Sequence, residues 1–119
     1  MEITTRQNGD VTILDLSGKL VRGVGDEALR EAMDRLLGER RPKVLINLSD
    51  VSFVDSSGIG ELVASKKMAD QLGTSVKLMQ VPERVQHTLR LSLLLPLFET
   101  HPSEEAALAA FGSKRNRSE

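Results

Sequence analysis

The sequence predicts a single α/β domain: a mixed central sheet of four to five strands with about four helices packed on it. Three observations carry that prediction. Residues 2 to 7 and 11 to 16 alternate in polarity around Asn8-Gly9-Asp10, the mark of a β-hairpin and so of one antiparallel pair. Two later apolar runs, KVLINL at 43–48 and SVKLM at 75–79, have the length of strands. Segments with helical spacing stand between and after them, and strand-helix-strand order brings strands together in parallel.

Each element has a local reason. Asn-Gly suits a tight turn that needs positive φ, which closes the hairpin. From 26 to 37, Leu29, Ala32, Met33, Leu36 and Leu37 share one helical face, behind Asp26 and Glu27 at the positive end of the helix. KVLINL follows Pro42 and does not alternate, as expected of a central strand buried on both faces. A second helix is predicted from about Ser57 to Leu72, ending at Gly73, with Ile59, Leu62, Val63, Ala69 and Leu72 in one half of its wheel. Lys66 shares that arc, where its stem can lie on apolar surface while the amine reaches water.

After SVKLM, Pro82 opens a third helix through roughly Leu91, with Val85, Leu89 and Leu93 at a spacing of four. LFET, 97–100, is a candidate short last strand, and Ser103 followed by Glu104 and Glu105 makes a capped start for a helix through Phe111. The consecutive Leu93, Leu94 and Leu95 are expected mainly in the core, the alternative being an apolar patch that supports a homodimer. No repeat or linker divides the chain. The domain is therefore placed at 1–112, with 113–119 as a polar tail expected to be disordered.

Composition excludes several classes. A net charge of −1 gives no global attraction to nucleic acid or anionic lipid, and the short KRNR stretch reads as a solvated end. Without cysteine there is no thiol catalysis, disulfide or thiolate metal site, and two separated histidines do not make a metal cluster. Neither a signal-peptide h-region nor an apolar stretch of membrane-spanning length is present, so the expectation is a soluble cytoplasmic protein with no membrane insertion and no direct nucleic-acid partner.

The chemistry concentrates where an apolar run stops at Asp55 and a helix pattern begins, in the stretch LSDVSFVDSSGIGELVASKK, 49–68. Asp55, Ser56 or Ser57 can cap the helix's unpartnered N–H groups. Gly58 and Gly60 each cost helix stability by roughly 1 kcal/mol relative to alanine, and their small size is expected to leave the first turn open to another surface. On the residues alone two readings stand. One is a serine cap with a glycine required for helix-sheet packing; the other is a hydroxyl presented at a helix start, where an added phosphate is tolerated by the protein's own amides yet changes what a partner meets.

LINLSDVSFVDSSGIGELVASKK resembles the signature of STAS-domain proteins of the anti-sigma factor antagonist type: hydrophobic strand, L-x-x-V/L-x-[FY]-[MVI]-D-S-[ST]-G-[LI]-G, then helix. GKL after the second strand, the helix at 26–37, KLMQVPERVQHTL after the motif, and LFET followed by a helix fall in the family's order, so the resemblance covers nearly the whole chain. It implies a phosphorylation site at Ser56 and a partner-binding surface made by Asp55, Ser56, Ser57, Gly58, Ile59 and Gly60. It also implies a non-enzymatic, cofactor-free regulator. Unphosphorylated, such a protein binds an anti-sigma factor that is also a serine kinase of the histidine-kinase-like ATPase fold and so frees the sigma factor; phosphorylation releases it, and a serine phosphatase resets it. One departure is visible: many antagonists carry an acid two positions beyond G-x-L, where GKLVRGVGDEAL has Val21 and a longer glycine-rich connection.

Other functions fit less well. DSSGIG is not a G-x-S-x-G nucleophile elbow, and His87 and His101, read as a solvent-facing helix residue and a loop residue before Pro102, carry no signal placing them at the serines. The glycines at 23, 25, 58 and 60 are not followed by the G-K-[ST] of a P-loop. The alternative of a similar kind is a stand-alone STAS subunit or scaffold that docks on a membrane transporter or signalling complex without a phosphorylation cycle.

Overall fold

Alternation at the N-terminus becomes a hairpin: β1 (Glu2–Asn8) pairs antiparallel with β2 (Val11–Leu20) through a two-residue turn, Gly9-Asp10. Gly9 takes φ +62°, a left-handed value that glycine reaches without a Cβ penalty. The computed structural model describes residues 1–117, with side chains through 112. Beyond the hairpin the order is α1 (Gly25–Gly38), β3 (Lys43–Val54), α2 (Ser56–Gln71), β4 (Ser75–Met79), α3 (Glu83–Leu91), β5 (Thr100–His101) and α4 (Glu104–Arg117). The five strands lie in sequence order in one sheet, antiparallel at β1–β2 and parallel at each later pair.

Helices cover the two faces unequally. Leu14, Leu16 and Leu20 of β2, Val44, Ile46 and Leu48 of β3, and Val76 and Leu78 of β4 form the main core with the apolar faces of α1, α2 and α3. All five apolar residues that define the α1 stripe are buried there, the three leucines and Met33 each worth about 1.5–3 kcal/mol and Ala32 less. The opposite face is covered by α4 alone, through Ala107 and Phe111 against Val11, Ile13, Leu45 and Met79. KVLINL is thus buried on both sides, as its lack of alternation requires. Ser103 caps α4, its Oγ accepting from the Ala106 amide at 3.1 Å.

β3 continues past Leu48 to Val54, and this positions the site. Two irregularities in the β2–β3 register absorb extra residues, so Leu48, Val51 and Val54, spaced by three, all reach the core. α1 and α2 then approach the end of β2 through glycines. A Cβ at Gly25 would stand 2.5 Å from the Lys19 carbonyl oxygen and 2.6 Å from Leu20 Cα, and one at Gly58 would overlap the Leu20 carbonyl oxygen. Two helix starts therefore grip one strand end at backbone contact distance.

Several expectations change at the other end. α3 stops at Leu91; Leu93 takes φ +59° after the helix and stays 84% exposed, while Leu94 returns its amide to the Leu89 carbonyl at 2.9 Å and packs on the core. Of the consecutive leucines, Leu94 and Leu95 are half-buried and pack against the core, and Leu93 alone of the three stands in solvent. Leu97 closes a short 3-10 turn, Phe98 is buried, and the last strand is only Thr100–His101. Leu72 sits at the end of α2 and is exposed rather than buried. His101 is a strand residue paired with Met79, its Nε2 2.8 Å from Glu99 Oε2. Lys66 ends on Asp70 at 2.8 Å, an ion pair one helical turn away. The α4 backbone runs into the segment set off as a tail; side chains from 113, and residues 118–119, lie outside the described residues.

The two glycines of α2 differ. Nothing lies within 4 Å of a Cβ at Gly60. Gly60→Ala should raise stability by about 0.5–1 kcal/mol through helix propensity. Gly58→Ala should lower it by about 1–3 kcal/mol, because the Leu20 backbone must move. Urea denaturation of both variants checks the opposite signs.

Candidate functional site: the strand-to-helix turn at Asp55

Asp55 ends the strand in extended geometry, φ −108° and ψ −176°, and is the N-cap of α2. Its Oδ1 accepts from the Gly58 amide at 2.9 Å, and its Oδ2 from the Arg22 amide in the loop between β2 and α1 at 3.0 Å. Asp55 N donates to the Leu20 carbonyl at 3.3 Å, and its own carbonyl accepts from Ile59 N at 3.0 Å. One residue thereby joins the end of β2, the following loop and the first turn of α2. Of the three candidates for the cap, the acid fills the role and neither serine is needed for it.

The Arg22 amide, followed by that of Gly58, holds the Asp55 carboxyl below the usual carboxylate range, because N–H donors favour its ionised form. A lowered carboxylate contributes stability above its unfolded pKa and loses it as pH falls through the folded value. The clamp is therefore fully formed at neutral pH and fails only in acid.

With the acid committed to backbone amides, Ser56 is left as the first helical residue with its side chain exposed. Among the described residues its hydroxyl has no hydrogen-bond partner. Ser57 is half-buried and Gly60 exposed, whereas Gly58 and Ile59 are buried. The residues expected to form one surface are thus split: Asp55, Ser56, Ser57 and Gly60 border solvent, and Gly58 and Ile59 hold the turn from inside. The open approach foreseen at Gly58 lies at Gly60. An activated serine needs a base within hydrogen-bond reach. Here the nearest acid is occupied, His87 is exposed on α3, and His101 lies on β5 with Glu99. Among the described residues no group of three or more His, Asp or Glu side chains is placed to hold a metal ion. No described helix is long and apolar enough to cross a membrane.

Sequence reasoning missed the loop partner. The Arg22 amide and the Leu20 carbonyl lie more than thirty positions before Asp55, and only the pair Gly25 and Gly58, each opening a helix, hinted that both helices approach one backbone. Arg84 was also missed; its Nη1 donates to the Ser52 carbonyl at 3.2 Å, tying the start of α3 to the end of β3.

Fold and turn define a one-sheet α/β domain that presents a serine at a helix start. The chain belongs to the STAS domain family, whose model matches residues 2–107. The anti-sigma F factor antagonist of Paenibacillus polymyxa is 28% identical over 109 residues, covering 91% of this chain and 92% of the relative. Among solved structures, the anti-sigma factor antagonist SpoIIAA in its unphosphorylated form superposes with a TM-score of 0.77 at 17% identity, covering 94% and 97% of the two chains. Bacillus SpoIIAA in the phosphorylated form gives 0.71 at 18%, covering 92% and 99%. A sulfate transporter family protein from Wolinella succinogenes gives 0.75 at 20%, covering 87% and 85%. These structural likenesses show the fold; the Paenibacillus relative adds a shared sequence across almost the whole domain.

Asp55→Asn isolates the clamp. An amide can still accept from Gly58 through its oxygen, but its NH2 group would face the Arg22 N–H. Amide hydrogen exchange should show protection retained at Gly58 and lost at Arg22, with a lower Tm; equal protection at both amides would show that the loop does not depend on the charge.

Proposed function

We propose that this protein is an anti-sigma factor antagonist whose partner binding is switched by phosphorylation of Ser56. Unphosphorylated, it binds an anti-sigma factor that is also an ATP-dependent serine kinase of the histidine-kinase-like ATPase fold, and so frees a sigma factor in the cytoplasm. Phosphorylated, it is released, and a serine phosphatase restores it. The observation that carries this reading is the state of Ser56: exposed, at the first position of α2, beside an acid already held by two amides. Such a hydroxyl is accessible to an external kinase, and among the described residues no base is hydrogen-bonded to it.

The charge argument follows from that geometry. A phosphoserine adds about −1.5 to −2 charges next to Asp55. Anions at a helix start are stabilised by the terminal N–H groups, so the domain tolerates the phosphate. A partner seated on the same turn meets new negative charge that it must desolvate. Release needs no refolding.

Ser56→Ala and Ser56→Glu test the reading. In source-cell lysate, labelled phosphate from ATP should enter the wild type and not Ser56→Ala; stoichiometric labelling of the alanine variant would move the site elsewhere. Ser56→Glu should bind the captured kinase about tenfold or more weakly than the wild type, while its circular dichroism is unchanged, since a carboxylate at a helix start is favourable by about 0.3–1 kcal/mol. Equal affinities for all three proteins would favour a constitutive subunit or scaffold, a role in keeping with the likeness to a transporter-family protein.

A further inference from the structure

The outer edge of β1 is open. This strand pairs with β2 alone, and among the described residues no backbone hydrogen bond reaches it from any other element. The two-residue turn makes Asn8 and Val11 a hydrogen-bonded pair, so alternation commits the main-chain groups of Glu2, Thr4, Arg6 and Asn8 to β2 and points those of Ile3, Thr5 and Gln7 outward. The edge also lacks the usual protection: its register runs unbroken over seven residues with no proline, lysine or bulge, and six of the seven are exposed. The opposite edge of the sheet, β5, offers only two residues.

Side chains divide between the two faces. Arg6 and Asn8 turn to the α4 side, where both reach Glu104; Ile3 packs toward the main core, and Thr5 Oγ1 accepts from Arg35 of α1 at 2.9 Å. A cleft of about 300 Å³, lined by Ile3, Thr5, Ala28, Glu31, Ala32 and Arg35, lies between β1 and α1. Arg6 gives four N–H groups to Asp15 and Glu104, which leaves one of its five, on Nη1. Glu2 is exposed and forms no ion pair among the described residues.

We propose that two copies of this chain pair edge to edge through β1, antiparallel about a two-fold axis at Thr4, so that Thr4 faces its own equivalent, Ile3 faces Thr5 and Glu2 faces Arg6. In that register the outward groups of Ile3 and Thr5 meet as hydrogen-bonded pairs, and the side chain of Ile3 from each copy lies beside the cleft next to Thr5 of the other. Threonine against threonine, isoleucine against threonine and acid against base are all favourable cross-strand pairs. Sliding the copies by two residues sets Thr4 against Arg6 and Glu2 against Asn8; sliding by four sets Arg6 against Arg6. Asp15 and Glu104 already balance Arg6, so the Glu2 contact selects the register while main-chain hydrogen bonds supply the affinity. A second copy fits because the edge matches itself, and β5 is too short to receive β1 from a neighbour, so pairing closes as a dimer instead of growing into a filament. The Ser56 turns then lie at opposite ends of one continuous sheet, each separated from the paired edge by β2, and one dimer can hold two partner molecules. The pairing does not depend on phosphorylation of Ser56.

Sedimentation equilibrium of the purified full chain over a concentration series should show a monomer–dimer equilibrium. Thr5→Pro removes an outward N–H while leaving the β2 ladder intact, and should weaken association several-fold with unchanged circular dichroism; Glu2→Arg, which sets two cations opposite each other, should weaken it as well. The chain has no cysteine, so single cysteines report the register. In Thr4→Cys the paired Cα atoms would stand about 4.5 Å apart, within disulfide range. Mild oxidation should link two copies of it several-fold faster than two copies of Asn8→Cys, where no residue lies opposite. A chain that stays monomeric throughout the series, a dimer as strong in Thr5→Pro as in the wild type, or equal linking at positions 4 and 8 overturns the proposal; should Thr5→Pro unfold, the cysteine pair decides alone.

Discussion

The strand end at Leu20 is where this fold has least freedom. Two helices start against its backbone, each through a glycine, and the Asp55 carboxylate fastens the loop that leaves it. A Cβ on either glycine would intrude on backbone rather than on a side chain that could swing away, so the approach cannot be relaxed locally. The same carboxylate caps α2. Position, loop shape and helix start are thus fixed by one residue and one strand terminus, and Ser56 inherits its exposure from them.

Where local pattern and tertiary contact agreed, the sequence was readable. The hairpin, the α1 stripe, the doubly buried β3 core and the Ser103 cap each depend on residues within a few positions of one another. The second half of β3 was not readable because its buried apolar residues, Leu48, Val51 and Val54, recur every third position rather than alternating as in a flat strand; the two register irregularities reconcile this with the sheet. Of the two readings the sequence left open for a glycine here, packing and open approach, Gly58 takes the packing one. A glycine in a first helical turn looks like open space in sequence, and only the distant Leu20 carbonyl shows that the space is filled. Leu93 lies at the helical spacing of Val85 and Leu89, but the chain has left the helix before reaching it.

Far from the site, a buried lysine fixes the opposite edge of the sheet. Lys77 is 2% exposed; its Nζ lies 2.6 Å from Glu99 and 4.9 Å from the centre of the Phe111 ring. Lys77, ahead of His101, holds the Glu99 carboxyl below its usual range. A charge taken out of water is tolerated only with such partners, and removing either would leave the other poorly satisfied. The contacts join β4, the two-residue β5 and α4, which explains how so short a strand keeps its register. Nothing in SVKLM announces this role, because Lys77 meets its partners only through the crossover that carries the α3 segment back to the sheet.

These two anchors leave the chain's regulatory chemistry to a small surface. The Asp55 turn is held by backbone hydrogen bonds, and its carboxylate is already stabilised by amide donors before any phosphate arrives. An added dianion therefore has no strained element to release and no buried partner to displace. What it can change is the field over the neighbouring surface, where Lys19, Arg22 and Arg84 have no carboxylate partner among the described residues. A rigid turn beside exposed charged side chains is suited to a switch read by another protein through charge and contact, with the fold serving as an unmoving frame.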